Sequence, residues 1–190
     1  VNDRTIFLLT AISLLGFGCT PDRDLTEVVK PFGRDSIGFE VNQGTLVINE
    51  FVASGSQNTN EFGSAEDWLE LYNPNDFNAV LESGKWFLTD RASSEPMKFQ
   101  LPQCTIPSHG FLLVWCDGLN TEQEYIHANF SLSSSGEELG IYFKSGIDAL
   151  MVDEHEFPAQ QQDAVSNGRY PDGGASWTVF NTPTPGSSNN

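Results

Sequence analysis

Leu46-Val-Ile-Asn-Glu-Phe-Val-Ala53, a polar loop from Ser54 to Ala65, and Trp68-Leu-Glu-Leu-Tyr72 closed by Asn73-Pro-Asn-Asp76 decide the fold. Both apolar runs are short, rich in β-branched and aromatic residues, and partly alternating, which is the pattern of half-buried strands. The loop between them is Ser-, Asn- and Gly-rich, and Asn-Pro-Asn-Asp is turn chemistry.

The same rhythm continues toward the C-terminus. Ala79-Val-Leu81, Lys85-Trp-Phe-Leu-Thr89, Met97-Lys-Phe-Gln-Leu101 and Cys104-Thr-Ile106 are further strand candidates. Phe111-Leu-Leu-Val-Trp-Cys116 is nearly all apolar, as a strand covered on both faces would be. Ala128-Asn-Phe-Ser-Leu132, Glu138-Leu-Gly-Ile-Tyr-Phe143 and Leu150-Met-Val-Asp-Glu-His155 complete the series. Sustained helical periodicity and internal repeats are both missing. Strands spaced by about ten residues, with turns between, read as an all-β sandwich or barrel.

Toward the N-terminus the pattern changes. Arg4 precedes the apolar run Ile6 to Leu15, which is short for a bilayer span of roughly 20 residues and suits a signal-peptide core. Gly16-Phe17-Gly18-Cys19 follows. One reading lipidates Cys19 in the manner of a bacterial lipoprotein. The other has ordinary signal peptidase cut at the small-x-small site and release a soluble, secreted domain. Residues 1–18 are then a signal peptide, 19–45 a tether rich in Gly and Pro, and 46–190 the β-domain.

The 190 residues carry 26 acidic and 9 basic side chains, for a net charge of −17. Such a field repels phosphate backbones and argues against a nucleic-acid partner. Neither a G-x-S-x-G elbow nor a phosphate-binding loop occurs, and no catalytic residue is singled out. His109, His127 and His155 lack metal-ligand spacing. Asp153-Glu-His-Glu156 splits over two faces of a strand, so only half of it could converge on one ion. Glu61, Glu66 and Asp67, in or beside the first loop, are the candidate ligands for calcium, against a reading as a solvated loop. No other cofactor is expected. Cys104 and Cys116 are compatible with a disulfide in an exported protein or with two buried thiols. Core packing is expected for most of Trp68, Trp86, Trp115 and Trp177.

Taken in order, Ile48-Asn-Glu-Phe51, Asp67-Trp-Leu-Glu-Leu-Tyr-Asn73, Trp86-Phe-Leu-Thr-Asp90, Phe99-Gln-Leu-Pro102, Gly110-Phe111 and Val114-Trp115 resemble a lamin-tail domain. Asn129-Phe-Ser-Leu132, Gly168-Arg-Tyr-Pro-Asp-Gly173 and Thr182-Pro-Thr-Pro-Gly186 are similar to its bacterial branch. The resemblance spans about Leu46 to Asn189. It implies an immunoglobulin-like β-sandwich and a non-catalytic binding or tethering module. The expected partner is an envelope protein or glycan, with a membrane reached through the N-terminal lipid. A structural accessory of an envelope assembly is the alternative. A hydrolase with an unrecognised carboxylate site is a third reading.

Overall fold

The computed structural model describes residues 46–122, 124–159 and 163–189. The expected signal segment, the tether and Cys19 lie outside them. Among the described residues there are thirteen strands and no helix.

The larger sheet is built around β1 (Val47–Val52), β2 (Trp68–Tyr72) and β7 (Phe111–Trp115), with β12 (Ser166–Arg169) and β13 (Trp177–Phe180) beyond β1. On its other side β7 pairs in parallel with β9 (Ile126–His127), and β8 (Thr121–Glu122) closes that edge. A four-stranded sheet takes the order β11 (Asp148–Pro158), β10 (Gly136–Ser145), β4 (Trp86–Thr89), β5 (Phe99–Gln100). A small ribbon joins β3 (Ala79–Leu81) to β6 (Cys104–Ile106).

The sheets share one apolar core. Leu69, Leu71, Leu112 and Val114 from the larger sheet enter the same cluster as Leu88, Phe99, Leu139 and Ile141 from the smaller one. Two sheets closing on one core are consistent with the expected β-sandwich. Period-2 alternation puts Trp68 and Glu70 of β2, and Leu113 and Trp115 of β7, on the opposite, outer face. That face is also covered: Trp68, Glu70 and Trp115 are all buried. This accounts for the unbroken apolar run read in β7.

The structure supplies the pairing order, and with it the fate of the two cysteines. The turn at Pro107–Gly110 forms, with Gly110 N–H donating to the Pro107 carbonyl, but it does not close a hairpin. Its flanking strands go to different sheets, β6 to β3 and β7 to β2. Cys104 and Cys116 are thereby directed to separate elements, and Cys116 is a free, buried thiol. The Cys104–Cys116 bridge does not form. The strand expected at Ala128–Leu132 is displaced to Ile126–His127, leaving a lone bridge between Asp117 and Ser131. Trp177 is only partly buried, stacked on His155 with ring centres 3.6 Å apart.

Candidate functional site

The outer face of the larger sheet has two parts set by strand register. Val52, Trp68 and Trp115 lie side by side across β1, β2 and β7. With Leu113 and Tyr125 they form a second apolar cluster, separate from the main core. One step along the strands, Glu50 aligns with Glu70, and Glu70 with Leu113. Two peptide segments cover these rows, the loop before β2 and the C-terminal segment after β13.

The C-terminal segment is bound to the carboxylate row. A register shift in β1 between Ile48 and Glu50 lets both Asn49 and Glu50 reach polar partners on one side. Glu50 accepts hydrogen bonds from the Ser166 hydroxyl, from Thr184 Oγ1 at 2.8 Å and from Thr184 N–H. Glu70 accepts from Gly186 N–H at 2.5 Å and from Asn49 Nδ2 at 3.3 Å. Asn189 Nδ2 donates to the carbonyls of Asn49 and Arg169. Gly168 makes room for this packing. A Cβ there would come within 2.7 Å of Asn189 Nδ2 and 3.1 Å of Glu50 Cγ. Burial raises the pKa of Glu50, and raises that of Glu70 well above the ordinary carboxylate value; the hydrogen bonds oppose this, and neighbouring acids add to it.

The loop before β2 is fixed by other means. Asn60 Oδ1 accepts from the N–H groups of Phe62 and Ser64, an Asx-type turn. Beyond it, Glu61 Oε1 lies 2.9 Å from His127 Nε2, and Asp117 Oδ2 lies 2.6 Å from His127 Nδ1. The His127 side chain is fully buried, and the Phe62 ring packs on it at 5.5 Å. Burial alone would lower the imidazole pKa. The hydrogen bonds to Glu61 and Asp117, with their charges, outweigh it and hold the value above the ordinary one. Both ring nitrogens are occupied, so this histidine clamps the loop and offers no free nitrogen to a solute.

Between the two coverings lies a cleft of about 390 Å³. It is lined by Leu113 and Trp115 of β7, by Asn58, Asn60 and Glu61 of the first loop, by Glu124 and Tyr125, and by Pro185 and Gly186 of the C-terminal segment. The volume falls in the range of small-molecule sites. Three polar atoms of lining residues, Trp115 Nε1, Asn58 Oδ1 and Glu61 Oε2, are buried without a hydrogen-bond partner. Trp68 Nε1 and Thr121 Oγ1 share that condition. Buried polar atoms are usually paired, and an unpaired one costs about 1–3 kcal/mol.

The calcium candidates do not converge. Glu61 turns to His127, while Asp67 accepts a hydrogen bond from Leu132 N–H. Burial pushes the Asp67 pKa up to about 6, with Glu66 adding to the rise and the Leu132 bond opposing it. Among the described residues no group of three His, Cys, Asp or Glu side chains could hold a metal ion. Cys104 is buried in the main core. Burial, with nearby acids, raises the Cys116 thiol well above its ordinary pKa. In the Asp153–Glu156 stretch, Asp153 pairs with Arg169 at 3.0 Å and His155 stacks on Trp177.

Sequence reasoning placed Glu61 in a candidate loop but missed Asn58, Tyr125 and the His127 clamp. Trp115 packs in a buried apolar cluster, as expected, and also borders the cleft. One signal pointed there: the apolar run of β7 required a cover on the outer face, and the covering segments form the cleft.

No protein-family model matches the chain, and no curated protein matches it.

Proposed function

We propose that this chain is a non-catalytic binding module of the bacterial cell envelope, a lamin-tail-like domain of the immunoglobulin-like sandwich type. It is exported by residues 1–18 and held at a membrane through a lipid on Cys19, with residues 19–45 as a tether. It recognises an envelope protein or glycan and does not transform it. The observation that carries this reading is the cleft on the outer face of the larger sheet, walled by the two covering segments, three of whose lining residues each hold a buried, unpaired polar atom. A concavity of this volume is the usual form of a small-ligand recognition site. The sandwich core, the ordered lamin-tail-like motifs and the apolar segment before Cys19 support the rest.

The test is affinity capture from crosslinked bacterial envelopes, using the full chain and an unrelated β-sandwich as control, read by mass spectrometry and glycan analysis. Enrichment of one dominant component, lost in Tyr125→Ala, is the expected result. Equal recovery by the control sinks the recognition reading and favours a purely structural role.

A further inference from the structure

We propose that the cleft takes a neutral saccharide of one or two rings; this rests on the reading of the chain as a binding module and names its ligand class. The unpaired atoms define the chemistry. Trp115 Nε1 can only donate, Asn58 Oδ1 can only accept, and Glu61 Oε2 is a carboxylate oxygen. A ligand that satisfies all three must both give and receive hydrogen bonds within a small volume. Hydroxyl groups do both.

The other ligand classes fit less well. An anion meets Glu61 and Glu124 on the cleft wall, in a chain of net charge −17. An ammonium group would satisfy Glu61 but has no lone pair for the indole N–H. An apolar ligand would leave all three atoms unpaired. A folded protein partner needs hundreds of Å² of contact surface, which a cleft of about 390 Å³ does not provide. Leu113, Trp115 and Tyr125 add an apolar lining of the kind that receives the C–H face of a sugar ring.

The His127 clamp contributes to this design. It takes Glu61 Oε1 and leaves Oε2 as the carboxylate's unpaired acceptor. The three atoms are shielded from solvent, so the wall around Asn58 must give way as the ligand enters. Binding therefore changes the surroundings of Trp115.

The experiment titrates the full chain with cellobiose, maltose and di-N-acetylchitobiose, against glucuronic acid and glucosamine as charged controls. Tryptophan fluorescence and saturation-transfer NMR are the readouts. The expected result is saturable binding of at least one neutral disaccharide. Trp115→Phe, which keeps the ring face but removes the N–H, and Asn58→Ala at the cleft wall should each weaken it about tenfold. Asn58→Ala guards against a folding defect in the buried Trp115 variant, and thermal melting checks both. No binding of any neutral disaccharide at millimolar concentration overturns the proposal, as does preference for either charged sugar or affinity unchanged in both variants. If the saccharides fail while envelope capture still depends on Tyr125, the ligand class is wrong and the binding module stands. If both fail, the module reading fails too.

Discussion

The two halves of one sheet face treat polar groups in opposite ways. Under the C-terminal segment, Glu50, Glu70, Asn49 and Asn189 all find partners, and Gly168 is small enough to let them close. Under the first loop, Trp68 Nε1, Trp115 Nε1, Asn58 Oδ1 and Glu61 Oε2 find none. The strands beneath are the same, so the difference lies in the coverings. A fully paired network fixes a covering in one position. An incompletely paired one leaves chemistry for a ligand to complete. The first half therefore fixes its covering in place, and the second leaves buried polar atoms unpaired.

Variants can break or sharpen this contrast. The largest effect is expected at the clamp that fixes the first loop. His127→Ala removes the group that separates Glu61 from Asp117 and leaves two carboxylates facing a hole. Breaking a buried ion pair in this way costs about 3–5 kcal/mol, to be read by urea unfolding. Next comes Glu50→Ala, which leaves Thr184 and Ser166 without their acceptor. About 2–3 kcal/mol of destabilisation is expected. Glu70→Gln should cost less than Glu70→Ala. Burial already disfavours the charged carboxyl, and an amide oxygen can still accept from Gly186. In the cleft half, Asn58→Ala removes an oxygen that bonds to nothing, and stability should be no lower than that of the parent chain.

The pH dependence separates the halves further. His127 has a folded pKa above its ordinary value of 6.5. Its contribution is complete below 6.5 and is lost as pH rises through the folded value. Stability should fall as pH rises above 6.5, and fall less in His127→Gln. A smaller pair of effects opposes itself in mild acid. Asp67, raised from 3.8 to about 6, lowers stability as pH climbs through that window. His155, lowered from 6.5 to about 4 chiefly by burial and secondly by the Arg169 charge, raises stability as pH climbs through nearly the same window. Asp67→Asn should expose the rising slope and His155→Asn the falling one, in urea titrations between about pH 4 and about pH 6.5.

Much of the fold was legible because local signals agreed with it. Alternation in Trp68–Tyr72, turn chemistry at Asn73–Asp76 and the apolar run Phe111–Trp115 all correspond to strands or turns in the structure. Pairing order was not legible, because it depends on contacts distant in sequence. A turn such as Pro107–Gly110 looks the same whether its flanks pair with each other or with separate sheets. The sequence therefore left a Cys104–Cys116 bridge open, and the structure excludes it by leaving Cys116 a free thiol. The strand misplaced at Ala128–Leu132 reflects a short parallel pairing of β9 on β7, which two residues of sequence cannot signal. The cleft was half legible. Glu61 and its Asn-rich loop stood out by composition. His127 and Asp117 did not, since a clamp assembled from three separate segments leaves no spacing motif.

The most direct test of the central claim pairs two measurements on Asn58→Ala: its melting temperature and its capture of envelope material. Melting at or above that of the parent chain is expected, together with loss of most of the capture. Capture at the parent level by a properly folded Asn58→Ala would contradict it, and would move the binding surface away from the cleft.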